Sequence, residues 1–214
     1  AEFCILAMLA HYKSFLPNLR NQARKRWERF ASTDLEGKTV GIVGLGRIGT
    51  ETARMACDLG MHVIGTNATP PAPCVERFFP PEDLHQMLPL VDVLIISVPH
   101  TPQTENLIGK RELELLRPSA FVINIGRGAV MDEPALIDAL QSGHLGGAAL
   151  DVFAEEPLPA SSPLWEMENV IVSPHSASTS DKENERLVSL FCENLRRYLD
   201  GQPLRNVLDP ELYY

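Results

Sequence analysis

The stretch KTVGIVGLGRIG, residues 38–49, decides the fold of this 214-residue chain. Its first part, 38–44, is a short apolar run rich in β-branched residues and ending in glycine, which predicts a buried strand. Residues 47–59 have the spacing of a helix, and a second apolar run, HVIGT at 62–66, follows them. Glycines in the spacing G-x-G-x-x-G therefore join a strand to a helix within a strand–helix–strand unit.

Each glycine of this loop has a physical reason to be there. Gly44 allows a sharp turn, and Gly46 lets the backbone approach a pyrophosphate with no Cβ in between. Gly49 lets the helix and the strand pack closely, while the helix N-terminus offers free N–H groups to an anion. The unit predicts a site for a nicotinamide dinucleotide. The plain alternative is a tight turn that binds nothing.

The rest of the chain alternates apolar strands with helices. Further strands are predicted over 91–98, 120–125, 147–152 and 169–172, with helices over 134–141 and about 179–199. Residues 1–16 predict a single buried helix, because their apolar residues are too dense for a one-sided stripe, and a polar helical stretch continues to about Phe30. A loop with Pro70, Pro71 and Pro73 follows the second strand. The pattern indicates an α/β fold, a Rossmann-type doubly wound parallel sheet.

Composition argues against several classes of function. The chain has 19 basic and 28 acidic residues, a net charge of −9, which disfavours a nucleic-acid-binding surface. The basic cluster at 20–29 is better explained as a solvated helix face or a subunit contact. Four cysteines lie far apart without a C-x-x-C pair, so neither a metal site nor a disulfide framework is expected. The longest apolar stretch, 3–10, is too short for a bilayer, and the cytoplasm is the expected location.

Three motifs carry candidate chemistry: INIGRG at 123–128, ALDVFAEEP at 149–157 and SPHSA at 173–177. Each follows a predicted parallel strand, and ligands bind at the carboxyl edge of such sheets. Arg127 lies between two glycines and can grip a carboxylate with two bonds. Glu156 could orient His175, leaving a proton donor near neutral pH.

Each of these residues also has a purely structural interpretation. Arg127 could cap a helix or pair with a surface carboxylate, and Asp151 could cap a helix or a turn. Glu156 could be a solvated loop charge, and His175 a turn residue. These structural interpretations explain the four residues less well as a group than one by one, because all four are expected at the sheet edge that carries the glycine loop.

The same motifs, in this order over about residues 36–178, resemble the D-isomer-specific 2-hydroxyacid dehydrogenases. That family includes phosphoglycerate, glycerate/hydroxypyruvate and D-lactate dehydrogenases. The flanks AEFCILAMLA at 1–10 and NLRRYLDGQPLRNVLD at 194–209 are similar to the family as well. The resemblance implies a dinucleotide-binding domain at 1–178, with a leading helical segment at 1–30. It also implies that 179–214 is the last helix and tail of an incomplete flavodoxin-like substrate domain.

By this resemblance the protein transfers a hydride between NAD(P)H and a 2-keto or D-2-hydroxy acid. Arg127 would bind the substrate carboxylate, and His175 with Glu156 would be the acid/base pair. The cofactor would contact a set of loop residues at the sheet edge: Gly44, Gly46, Arg47, Ile48, Gly49, Asn67, Pro99, His100, Thr104, Ile125, Gly126, Arg127, Asp151, His175 and Ser178. NAD is preferred over NADP, although Asn67 replaces the acidic residue usual at the ribose and leaves the choice open.

The resemblance leaves other questions open. Family members carry a segment before the first helix that forms most of the substrate domain, so we expect the 214-residue chain alone to bind dinucleotide and to turn over poorly. The alternative function is a dinucleotide-sensing corepressor-like binding protein of the same fold, and formate dehydrogenase is a further relative. A homodimer is expected, without nucleic-acid, membrane or metal partners, and the expected substrate is a small 2-keto or 2-hydroxy acid.

Overall fold

The computed structural model describes residues 1–67 and 73–209. Pro70 and Pro71 of the predicted loop lie outside the described residues, as do residues 210–214 of the predicted C-terminal segment. The chain forms two compact units, Ala1–Pro174 and His175–Tyr214.

A parallel sheet is the basis of the first unit. Its seven strands, counted over the described residues, have the order β3-β2-β1-β4-β5-β6-β7. The strands are β1 (Thr39–Val43), β2 (His62–Thr66), β3 (Arg77–Phe79), β4 (Val93–Ile96), β5 (Phe121–Asn124), β6 (Gly147–Leu150) and β7 (Val170–Val172). Every pairing is parallel. The order reverses direction between β1 and β4, which is where such sheets bind ligands. The predicted Rossmann-type sheet is confirmed.

Helices cover both faces of this sheet. The α-helices of the unit are α1 (Glu2–Tyr12), α2 (Phe15–Ala23), α3 (Arg47–Asp58), α4 (Leu84–Met87), α5 (Lys110–Leu115) and α6 (Glu133–Gln141). Short 3-10 turns occur at Pro81–Asp83, Leu88–Leu90, Gly128–Val130 and Pro163–Trp165. Alternate strand residues point to opposite faces. One core therefore joins α1 and α3 to residues such as Ile42 and Ile95, and the other joins α4, α5 and α6 to residues such as Leu94 and Val122.

The prediction of one buried helix over 1–16 is wrong. Ser14 has a left-handed backbone (φ 55°), which ends α1 and starts α2 in a new direction. Only part of α1 is buried, and the side chain of Leu6 is 60% exposed. The helical stretch also ends at Ala23 rather than near Phe30, and Lys25 again has a positive φ of 54°.

Most other boundaries agree with the sequence pattern. Strand β2 has the predicted limits, and β4 to β7 lie inside the predicted runs. Helix α6 begins one residue before the predicted start because the Asp132 carboxylate accepts a hydrogen bond from Ala135 N–H at 3.0 Å. Strand β3 and the short helices α4 and α5 were not predicted from the sequence.

The second unit contains α7 (Glu183–Leu199), which begins four residues after the predicted start. Acidic residues fill its first turn and arginines its last, as the helix dipole favours. None of its residues is buried, and it exposes a row of large apolar side chains: Leu187, Val188, Phe191, Leu195 and Tyr198. No helix among the described residues is long and apolar enough to cross a membrane.

One half-buried ring, that of His11, makes the stability of the first unit depend on pH. His11 stacks on Phe121 with ring centroids 4.2 Å apart, and burial lowers its pKa below the ordinary value of 6.5. The unfolded chain therefore binds the proton more readily than the folded chain does. The stability contributed by neutral His11 is complete above pH 6.5 and is lost as the pH falls below that value.

We predict that the free energy of unfolding of the chain decreases between pH 7 and pH 5 partly through His11. In His11→Phe the ring stacking is kept and the titrating group is removed, so the decrease becomes shallower. Denaturant unfolding at several pH values measures both chains. An identical pH dependence for the two would contradict the prediction.

Candidate functional site

The register of the parallel strands aligns the predicted site residues along one edge. Val43 of β1 pairs with Ile96 of β4, Ile96 with Asn124 of β5, and Asn124 with Leu150 of β6. The residues that directly follow this row are Gly44, Ser97, Ile125 and Asp151, and Asn67 follows β2 at the same level. The structure thus brings the glycine loop and two of the three chemical motifs to one edge within the first unit.

The glycine loop has the close packing that its spacing predicts. Gly44 has a φ of 100°, and a Cβ on Gly49 would lie 2.0 Å from the Gly44 carbonyl oxygen. The Ser97 hydroxyl donates a hydrogen bond to that carbonyl at 2.6 Å. Gly46 differs, because a Cβ there would have no atom within 4 Å, and the neighbouring Arg47 and Ile48 are exposed.

These features fit a dinucleotide. An open backbone at the second glycine, directly before the N-terminus of the twelve-residue helix α3, is what a pyrophosphate requires. At the end of β2 the Thr66 hydroxyl is buried and has no hydrogen-bond partner among the described residues. Asn67, next to it, is half-buried. An unsatisfied hydroxyl beside an amide suits a bound group that carries its own hydroxyls.

The loop after β4 contains Pro99, His100 and Thr104. Pro99 and His100 are exposed, while the Thr104 hydroxyl donates to the Pro99 carbonyl at 2.7 Å. The same hydroxyl accepts a hydrogen bond from Thr101 N–H at 2.8 Å. Thr104 therefore holds the loop in shape, and Pro99 and His100 form its accessible surface.

Arg127 is exposed in a loop whose backbone is tightly confined. A Cβ on Gly126 would lie 2.6 Å from the Val98 carbonyl oxygen, and one on Gly128 would lie 1.8 Å from that of Phe153. The guanidinium of Arg127 donates to the Gly126 carbonyl at 2.7 Å. The neighbouring carbonyl oxygens leave no room for a Cβ at either flanking glycine, whereas the side chain of Arg127 between them is exposed.

The segment after β6 carries Asp151 and Glu156. Asp151 is 4% exposed and accepts a hydrogen bond from the Ser173 hydroxyl at 2.5 Å. Glu156 is exposed, and its carboxylate accepts from Phe153 N–H at 3.0 Å. Asp151 is thus a buried carboxylate that ties β6 to the end of β7, whereas Glu156 curls back onto its own loop.

His175 and Ser178 belong to the second unit, of which His175 is the first residue. Both are exposed, and His175 has a positive φ of 53°. The predicted pairing of His175 with Glu156 and the predicted cofactor contacts of these two residues stay predictions.

The sequence patterns missed three side chains that shape this edge. Asn124 is fully buried and hydrogen-bonded to the Arg127 loop, and Ser97 holds the Gly44 carbonyl. Glu133, in the first turn of α6, accepts a hydrogen bond from Ala154 N–H at 2.9 Å. The available signal for Asn124 was a polar residue in an otherwise apolar run, two residues before Gly126.

Comparison with known proteins identifies the family. Residues 5–177 match the sequence model described as D-isomer specific 2-hydroxyacid dehydrogenase, NAD binding domain. The chain belongs to this family. It is 33% identical to D-3-phosphoglycerate dehydrogenase of Methanocaldococcus jannaschii over 98% of the chain and 40% of that protein. It is 41% identical to glyoxylate/hydroxypyruvate reductase B of Pectobacterium atrosepticum over 84% of the chain and 57% of that protein.

Solved structures of 2-hydroxyacid dehydrogenases share the fold over the whole chain. One, from Xanthobacter autotrophicus Py2 in complex with NADPH and MES, has a TM-score of 0.90 and 36% identity, with 88% of that chain covered. An NADPH-dependent glyoxylate/hydroxypyruvate reductase from Sinorhizobium meliloti, in complex with NADP and sulfate, has a TM-score of 0.92 and 30% identity, with 68% covered. The family assignment made from the sequence motifs is confirmed.

Two matched substitutions in the glycine loop separate an effect on dinucleotide binding from an effect on folding. We predict that Gly46→Ala folds, with a melting temperature lowered by about 2–4 °C because alanine caps a helix less well than glycine. Its Cβ projects into the open space that the pyrophosphate needs, so the Kd for NADH rises by about tenfold or more. Fluorescence titration with NADH measures the Kd.

Gly49→Ala is the control for this experiment. Its Cβ would clash with the Gly44 carbonyl, so we expect a large loss of folded protein rather than a selective loss of binding. Wild-type NADH affinity in Gly46→Ala would show that this loop does not hold the pyrophosphate.

Proposed function

We propose that the protein containing this chain is an NAD(P)-dependent oxidoreductase that interconverts 2-keto acids and D-2-hydroxy acids. The chain spans 40% and 57% of the length of the two curated relatives above, so the activity of the whole protein is a proposal. The observation that carries it is the exposed side chain of Arg127, which lies between two crowded glycines on the sheet edge that also holds the open glycine loop.

The proposed chemistry divides between the cofactor and the chain. The bound dinucleotide supplies or accepts the hydride. Arg127 binds the substrate carboxylate through two parallel hydrogen bonds and thereby orients the adjacent carbonyl. His175 holds a proton, delivers it to the carbonyl oxygen during reduction and removes it from the hydroxyl during oxidation. Glu156 orients the imidazole for this transfer.

The proposed cofactor contacts follow from the same edge. Gly46, Arg47 and Ile48 would lie along the pyrophosphate, because their backbone is open and starts a helix. Asn67 would bond the adenosine ribose. We keep the preference for NAD within the proposal, since 67–79 contains no arginine before Arg77 to hold a 2′-phosphate, and Arg77 itself lies over the ring of Phe79.

Small 2-keto acids are the proposed substrates. Relatives named for glyoxylate and hydroxypyruvate reduction support that class, and relatives named as dehydrogenases or reductases give no support to the corepressor alternative. The four cysteines are free, which is consistent with the reducing cytoplasm proposed as the location. Segment 179–214 is proposed to belong to the substrate domain, where the exposed apolar row of α7 would be packed.

The proposed function is tested with the complete protein and a panel of 2-keto acids, each with NADH and with NADPH. We predict turnover of a small 2-keto acid and a decrease in kcat by about 10²–10⁴-fold in His175→Gln, because the proton donor is lost. The Kd for NADH should stay within about twofold of wild type, a change of under 0.5 kcal/mol.

His62→Gln is the matched control, because His62 lies at the amino end of β2 and away from the carboxyl edge. Its kcat should equal that of wild type. Near-normal turnover in His175→Gln would eliminate the acid/base role, and wild-type protein that reduces no 2-keto acid would eliminate the proposed function.

A homodimer is also proposed, and the exposed apolar residues of the leading segment support it. Trp27 is 97% exposed and follows α2, which itself exposes Phe15 and Leu19. A tryptophan almost fully in solvent, in a segment that exposes further apolar side chains, is typical of a subunit contact. The basic residues around Trp27 would then form the polar rim of that contact.

We predict that Trp27→Ala converts a dimer into a monomer at micromolar concentration, as measured by size-exclusion chromatography with light scattering. Trp165→Ala is the control: Trp165 is only 52% exposed and its indole donates a hydrogen bond to the Pro159 carbonyl, so its removal should leave the dimer intact. A dimer that persists in Trp27→Ala would place the interface elsewhere.

A further inference from the structure

Asn124 is a fully buried amide at the end of β5, in a strand whose other residues are apolar. Its side-chain oxygen accepts a hydrogen bond from Gly126 N–H at 3.0 Å. Its side-chain nitrogen donates to the Arg127 carbonyl at 3.2 Å. One amide therefore satisfies two backbone groups of the loop that carries Arg127, and a buried polar group with satisfied partners fixes local geometry.

Neighbouring backbone confines this loop on two sides. Gly126 is pressed against the Val98 carbonyl and Gly128 against the Phe153 carbonyl, so the backbone cannot move toward either neighbouring loop. The Arg127 carbonyl also accepts a hydrogen bond from Val130 N–H at 3.2 Å. Asn124 adds two hydrogen bonds to the same loop from a fully buried position.

We infer that Asn124 is a positioning residue that fixes the backbone of Arg127 and so aims its guanidinium at the substrate carboxylate. The inference rests on the proposed function, in which Arg127 binds that carboxylate. Bidentate binding depends strongly on the direction of the guanidinium plane, and small misplacements of a binding group cost large factors in rate.

The same loop is joined to the segment that carries Glu156. Gly128 touches the Phe153 carbonyl, and the Glu133 carboxylate accepts from Ala154 N–H. Glu156 in turn accepts from Phe153 N–H. A shift of the Arg127 loop would therefore be transmitted to the residues around Phe153. Asn124 is the fully buried residue in this series of contacts.

The test compares Asn124→Ala with Arg127→Ala and with the double variant in the complete protein. In Asn124→Ala we expect kcat/KM for a 2-keto acid to fall by about tenfold or more, mainly through KM, with the Kd for NADH within about threefold. In the Arg127→Ala background the same substitution should have little further effect on kcat/KM, because there is no guanidinium left to aim.

Asn21→Ala is the matched control, since Asn21 is a buried amide in the leading segment, bonded to Glu28 at 3.2 Å. It should lower the melting temperature without changing KM. Where Asn124→Ala does not fold, Asn124→Ser replaces it, because serine keeps a polar atom in the buried position, and the same increase in KM is expected.

Two outcomes would overturn the inference. Asn124 is merely a structural amide if its removal lowers the melting temperature and leaves KM unchanged, as in Asn21→Ala. It acts independently of Arg127 if the effects of the two substitutions multiply in the double variant. Both outcomes differ from failure of the proposed function, in which wild-type protein reduces no 2-keto acid at all.

Discussion

The parallel register across β1, β4, β5 and β6 is the constraint on which the rest of the structure depends. Because Val43, Ile96, Asn124 and Leu150 lie side by side, the loops that follow them leave the sheet at one edge. Backbone crowding then decides which positions face outward. Contacts at Gly49, Gly126 and Gly128 fill the space between neighbouring loops, so the open backbone of Gly46 and the side chain of Arg127 are what the edge presents.

The sheet could be largely predicted from the sequence because its central strands are continuous apolar runs that end at glycine or a polar residue. The apolar run at 62–66 predicted both limits of β2 correctly. Strand β3 could not be predicted, because it has only three residues, begins with an arginine and lies at the sheet edge. A segment this short shows no periodicity. The break at Ser14 was also hidden, because a left-handed serine leaves no mark in an apolar pattern. Short helices such as α5 depend on a local cap, the Glu112 carboxylate on Gly109 N–H, rather than on a long pattern.

The candidate site was predictable where a residue type itself carries chemistry, as with Arg127, or where spacing does, as in the glycine loop. Asn124 has neither signal. Its partners are backbone groups of residues that follow it closely, and only the folded loop shows that they converge on one amide. The unsatisfied Thr66 hydroxyl was equally invisible, because it is defined by the lack of a partner among the described residues. The pairing of Glu156 with His175 continues to rest on the family resemblance.

The crowding around Gly126 and Gly128 has a consequence for how this family can diversify. Neither position tolerates a side chain without moving Val98 or Phe153, whereas the side chain between them is exposed, and Asn124 also holds the backbone around it. A substitution at position 127 loses the hydrogen bond from Arg127 to the Gly126 carbonyl but keeps the glycine packing and the Asn124 contacts of the loop. A single codon change there would alter the charge of the molecules the edge attracts, while the scaffold and the dinucleotide loop stayed as they are.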